Sequence, residues 1–164
     1  MPRWFAIRTS PRWELRAASE LSRRGLETYL PLCRVERKWS DRIKIIDQPL
    51  FPGYLFGRFR MADRVRVLQA PGVQQIVGIG NTPAPIGDRE LDNLRTLVSA
   101  NTLLAPWPYL GAGQRIRIDR GPLAGVEGFV VRAGQGALRI VVSVDLLQRS
   151  VAAEIDRDSI GSAE

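Results

Sequence analysis

Twelve residues, Asn101 to Ala112 (NTLLAPWPYLGA), separate two kinds of pattern in this 164-residue chain. Two prolines flank Trp107 there, and glycines follow. Beyond them, QRIRI, GFVVRA, LRIVVSV and SVAAEI are short alternating or β-branched runs, broken by RGPLAG, GQG and a polar turn. Closely spaced short strands of that kind build a small barrel. Before Asn101 the chain instead mixes extended segments with two helical ones, as an α+β layer does. An α+β domain over residues 1–100, a linker over 101–110 and a small all-β barrel over 111–162 is the expected organisation.

Within the first part, RWFAIRT (3–9) reads as a strand. Ser10-Pro11 starts a helix that runs to about Arg24 and stops at Gly25, with Leu15, Ala18 and Leu21 turned to the core. Arg12, Arg16 and Arg23 fall on another face, either as a solvated surface or as a stripe following phosphates. Residues 26–37 read as extended, with ERKWSDRIK as a hairpin tip and Ile43 to Ile46 as the returning strand. QPLFPGYLFGRF (48–59) gathers six large apolar side chains around two prolines and two glycines. Strands tolerate Pro only at edges and ends, so a turn must precede the strand Tyr54–Phe59. Met61 to Gln69 reads as a short helix with Val65 and Leu68 inward. A strand at Gln74–Val77 follows, and then a helix opening at PAPIGDRELDNL with Glu90 as a reciprocal capping acid.

Composition narrows the function. Histidine is absent, which removes the commonest general base and metal ligand, and Cys33 is the lone cysteine. There are two lysines and no outstanding acid pair, so no catalytic residues, metal or cofactor are expected, and the chain is not read as an enzyme. No apolar run approaches a membrane span and no signal peptide is visible, so a cytoplasmic protein is expected. The net charge is +7, and residues 1–100 carry 17 basic against 10 acidic side chains, whereas residues 101–164 carry 7 of each. A one-sided excess of this kind is the usual footprint of a nucleic-acid partner.

PLFPGYLF, followed by LQAPGVQQIVGIGNTPAPIGDRELDNL, resembles the amino-terminal domain of the NusG family of transcription elongation factors. YLGAGQRIRIDRGPLAGVEGFV resembles the KOW motif, with Gly113, Gly121-Pro122, Gly125 and Gly128 at matching places. The resemblance implies an αβ plait followed by an SH3-like barrel on a linker. It also implies a monomeric, non-catalytic factor that sits on the RNA polymerase clamp helices and suppresses pausing. By motif, the docking patch is Phe51, Pro52, Tyr54 and Phe56, joined by Leu91 and Leu94, with Phe51, Tyr54 and Phe56 facing outward and Leu55 and Phe59 inward. Arg8, Arg12, Arg16 and Arg23, with Arg37, Lys38, Arg42 and Lys44 of the hairpin, would line upstream or non-template DNA.

Housekeeping members resemble one another in a barrel loop reading roughly S-I-F-G-R, whose Phe meets Rho or a ribosomal protein. The matching stretch here, SVDLLQRSVAAEI, lacks that Phe, so the partner loop becomes Val144, Leu146, Leu147 and Arg149. The departure resembles the operon-specific UpxY and RfaH groups of antitermination factors, which act on operons such as those for polysaccharide synthesis. A housekeeping factor coupling polymerase to Rho or the ribosome is the alternative, and a KOW-containing RNA-binding accessory of translation is the rival from another class. VDLLQRSVAAEIDR also fits an amphipathic helix, but the β-branched content of GFVVRA and LRIVVSV favours strands.

Overall fold

The computed structural model describes residues 1–133 and 136–160. The expected turn at Gly134–Gln135 and the end of the expected barrel domain, Gly161–Ser162, lie outside the described residues. Two compact units interleave along the sequence: residues 1–31 with 49–88, and residues 32–48 with 89–164.

Unit 1 is built on β1 (Arg3–Thr9), α1 (Glu14–Arg23) and β2 (Glu27–Tyr29). The strands β3 (Leu32–Trp39) and β4 (Arg42–Pro49) form a separate two-stranded hairpin that belongs to unit 2. Unit 1 resumes with β5 (Tyr54–Phe59), a 3-10 turn at Met61–Asp63, α2 (Arg64–Leu68) and β6 (Val73–Ile76). The two-residue strands β7 (Gly78–Ile79) and β8 (Thr82–Pro83) complete it. Its antiparallel sheet has the order β2-β5-β1-β6. Phe5 and Ile7 of β1 and Leu55 and Phe59 of β5 share a core with Ala17 and Leu21 of α1 and Val67 of α2. The rings of Phe5 and Phe59 stack at 4.7 Å. Gly57 lets β1 and β5 pack closely, because a Cβ at that position would stand 2.8 Å from Ile7 Cδ1 and that buried side chain would have to shift.

Three local expectations change. α1 begins at Glu14, and its inward stripe is Glu14, Ala17 and Leu21. Leu15 is 65% exposed, while Ala18 packs at the core margin. Arg12, at φ 68°, belongs to the turn ahead of the helix and cannot share a helical arc with Arg16 and Arg23. In α2 the inward residue is Val67, and Val65 and Leu68 are exposed. Leu21 is buried as expected, so the miss in α1 is confined to its first turn, whereas in α2 the whole inward face is displaced; a shift of one residue rotates an apolar face by about 100°.

Unit 2 holds the hairpin, α3 (Asp88–Ser99, of which 89–99 fall in this unit), β9 (Leu104–Trp107), β10 (Arg115–Arg117), β11 (Glu127–Ala133), β12 (Ala137–Val144) and β13 (Arg149–Ile155). The five strands form one antiparallel sheet, β10-β11-β12-β13-β9, as the expected small β domain requires. Four residues of the stretch read as a linker therefore form an edge strand, with Ala105 opposite Ala152 and Trp107 opposite Ser150. β12 is central and is buried on both faces around its middle: Val141 packs with Phe129 and Ala152, while Ile140 and Val142 are buried on the other side. That explains its continuous β-branched run. Residues 149–155 are a strand, not a helix. Among the described residues no helix is long and apolar enough to cross a membrane.

Candidate functional site

FPGY is a tight turn. Tyr54 donates its backbone N–H to the Phe51 carbonyl at 3.0 Å, with Pro52 and then Gly53 at the two central positions. Gly53 has φ 88°, so Pro at the first central position and Gly at the second match a type II turn. The turn is tied down from two sides. Thr9 N–H donates to the Gly53 carbonyl at 2.8 Å, and Gly53 N–H donates to the carboxylate of Glu14 at 2.8 Å. Glu14 is buried, an acid on an otherwise apolar helix stripe, in a role that helical periodicity alone does not assign. A charge placed at i in an i, i+3, i+7 apolar pattern is the signal that could have found it.

Of the expected docking residues in unit 1, Pro52 is exposed and Tyr54 half-buried. Phe51 and Phe56 are buried, at 3% and 1% exposure, which corrects the expectation that they face outward. Phe56 lies on the sheet face opposite the α1 core, opposite Ala6 and Tyr29 in register, and its ring stacks on Tyr29 at 6.3 Å. In unit 2, Leu91 and Leu94 form a buried stripe with Leu97 along α3.

The expected nucleic-acid residues are all exposed, four on unit 1 and four on the hairpin of unit 2. Arg8 lies within β1 and Arg12 in the turn before α1. The Arg16 guanidinium sits 4.7 Å from the centroid of the Trp13 ring, and Arg23 pairs with Glu20 at 3.2 Å. On the hairpin Arg37 donates to the Gln48 side chain at 2.9 Å, and Lys38, Arg42 and Lys44 are accessible. The same hairpin exposes Trp39, Ile43 and Ile45, an apolar complement that the charge count does not reveal.

The barrel loop is a 3-10 turn, Asp145–Leu147, closed by Gln148 at φ 53°. Asp145 organises it. Its carboxylate accepts from the Tyr109 hydroxyl at 2.8 Å and faces Arg115 at 3.8 Å, while its carbonyl accepts from the Gln148 side chain at 2.8 Å. The Asp145 contact raises the Tyr109 phenol above its ordinary value, because the neutral form is the donor. Val144 and Leu147 are buried, leaving Leu146 and Arg149 as the accessible members of the expected partner loop.

The family model described as "Transcription termination factor nusG" matches residues 2–95. The Vibrio vulnificus transcription termination/antitermination protein NusG is 27% identical over 167 residues, covering 94% of this chain and 92% of that protein. The Thermus thermophilus protein of the same description is 26% identical over 183 residues, covering 98% of each. The solved structure of Thermotoga maritima NusG covers 100% of this chain and 98% of its own, with a TM-score of 0.61 at 17% identity.

Proposed function

Because the chain belongs to the NusG family of transcription termination and antitermination proteins, we propose that it is an elongation factor that docks on RNA polymerase through the FPGY edge of unit 1. The single observation carrying this reading is the tied-down turn that holds exposed Pro52 beside half-buried Tyr54. A rigid proline and tyrosine over a packed aromatic base are the residue types of an interface anchor. Phe51 and Phe56 support them from within, and Leu91 and Leu94 serve as packing residues of α3. The docking surface is taken to be the polymerase clamp helices.

Arg12, Arg16 and Arg23, with Arg37, Lys38, Arg42 and Lys44, supply phosphate contacts to upstream or non-template DNA, which add affinity without reading sequence. The barrel loop favours an operon-specific antitermination role. It offers Leu146 and Arg149 where a housekeeping factor would offer a phenylalanine to Rho or a ribosomal protein.

In vitro transcription on a pausing template tests the reading. The full chain shortens pauses, Tyr54→Ala abolishes the effect, and Tyr54→Phe retains most of it. Pauses unchanged by the wild-type chain, together with recovery of ribosomal RNA in place of polymerase from lysate, would favour the translation-accessory reading instead.

A further inference from the structure

The strand register of unit 1 sets one cation apart. Arg8 stands opposite Tyr54 on β5 and opposite Gln75 on β6. Directly opposed residues of antiparallel strands project to the same face, so Tyr54, Arg8 and Gln75 form a row across three strands. The adjacent row, Leu55, Ile7 and Ile76, points into or packs on the α1 core, which puts the Tyr54 row on the opposite face. Further along that face Ala6, Phe56 and Trp4 are buried. The row itself is thus the accessible end of the face nearest the Pro52 turn, with Arg8 and Gln75 exposed and Tyr54 half-buried.

A second arginine on the same face, Arg58, stands opposite Glu27 on β2 and pairs with its carboxylate at 3.5 Å. Arg8 has no carboxylate within ion-pair distance among the described residues. It is an uncompensated guanidinium flanked by a tyrosine and an amide, next to the Pro52 turn.

We propose that Arg8 is the charge-selecting residue of the docking surface and receives a carboxylate from the protein segment that seats on Tyr54. The inference rests on the docking reading above and adds the partner's chemistry: an acidic side chain beside an apolar one. A guanidinium offers a planar fork that matches a carboxylate, and Arg and Tyr together are the commonest energetic anchors of protein interfaces. A nucleic-acid backbone fits this row less well. Phosphate tracking needs several cations in line, whereas this face presents one uncompensated cation between an aromatic ring and an amide.

The test is the affinity of the full-length chain for purified core RNA polymerase at low and high salt, with crosslinking to DNA in assembled elongation complexes as a second readout. Arg8→Gln is expected to weaken polymerase binding about tenfold and Arg8→Glu further, with loss of most of the salt dependence and unchanged thermal midpoints. Arg8→Lys, which keeps the charge without the fork, should fall between wild type and Arg8→Gln. If Tyr54→Ala loses binding while Arg8→Gln binds as wild type, docking stands and the carboxylate inference falls. If Tyr54→Ala also binds as wild type, the docking reading itself fails. Loss of DNA crosslinking alone in Arg8→Gln, at unchanged polymerase affinity, would make Arg8 a nucleic-acid contact and overturn the proposal.

Discussion

Asn93 brackets the main chain of Glu127. Its side-chain amide donates to the Glu127 carbonyl at 2.8 Å, and its side-chain oxygen accepts the Glu127 N–H at 2.8 Å. A helix residue thus takes the place of a neighbouring strand at the first residue of β11, satisfying both backbone groups of a half-buried position. Arg89 on the same helix faces the Glu127 carboxylate at 3.6 Å, but it is almost fully exposed and contributes little. Asn93→Ala should therefore lower the stability of unit 2 by about 1–3 kcal/mol, the cost of leaving partly buried polar groups unpaired. Urea unfolding measures that loss. Amide exchange separates the two bonds: Asn93→Asp keeps the acceptor and loses the donor, so the Glu127 amide should stay protected in that variant and become labile in Asn93→Ala.

Glu14 plays the corresponding part in unit 1, where its buried carboxylate accepts the Gly53 N–H. Removing it in Glu14→Ala leaves that donor without a partner and frees the FPGY turn, at a cost of about 1–3 kcal/mol. Glu14→Gln keeps an acceptor oxygen and should recover most of the loss. Thermal midpoints of the two variants decide. Equal destabilisation by Ala and Gln would mean that the charge, and not the hydrogen bond, holds the turn.

Tyr54 and Phe56 lie two residues apart on the same sheet face, yet their truncation should read out differently. Phe56→Ala empties a buried aromatic site and is expected to cost about 3–5 kcal/mol. Tyr54→Ala removes a half-buried ring at the end of the face and should cost about 1 kcal/mol or less, within the usual range for such sites. Chemical denaturation of each variant checks this. A Phe56→Ala chain as stable as wild type would restore that ring to the surface.

The contrast shows which features were legible in the sequence. Turn chemistry was: Pro52-Gly53 demanded a turn, and the β-branched runs after Gln114 demanded strands, because each is a local constraint. Burial on the second sheet face was not. Period-2 alternation says that Leu55 and Phe56 face opposite ways, but not that both faces are covered, and Phe56 is as buried as Leu55. The first turn of α1 was not legible either: Leu15 is the apolar candidate there, yet Glu14 is the buried residue, while Leu21 a few positions on is buried as its spacing predicts. The acid was inward because a distant backbone amide, Gly53 N–H, needed an acceptor. Such pairings, like Asn93 with Glu127, join residues far apart in sequence through single side chains and leave no periodic trace.

Glu90 makes part of unit 2 sensitive to pH. Burial first, and the Asp145 carboxylate second, hold its carboxyl above the ordinary 4.5, against the opposing effects of Arg115 and of the Asp145 main-chain N–H, which donates to it. In the window from about that ordinary value up to the raised one, the folded chain retains a proton that the unfolded chain has released. Stability must then fall as pH rises through the window, and the ionised carboxylate is a net burden at neutrality. Glu90→Gln keeps an oxygen for the Asp145 N–H and removes the charge. Urea midpoints measured from pH 4.5 to neutrality should show a flatter slope for Glu90→Gln and a higher stability at the neutral end. An unchanged slope would assign the pH dependence to another group.

Cys33 on β3 should be chemically quiet despite being the chain's one thiol. Burial, and then the nearby Asp47 carboxylate, push its pKa up to about 11. The thiolate is the reactive form, so at neutral pH only about one molecule in ten thousand would carry it even if the sulfur were accessible. Native protein should therefore resist a thiol-reactive probe such as dithionitrobenzoate, and the same protein in urea should react at the rate of a free cysteine. Because burial is the larger cause, Asp47→Asn should speed labelling only slightly. An increase in Asp47→Asn as large as that caused by unfolding would mean that the aspartate keeps the hairpin closed over Cys33, and that opening of the hairpin governs its reactivity more than ionisation does.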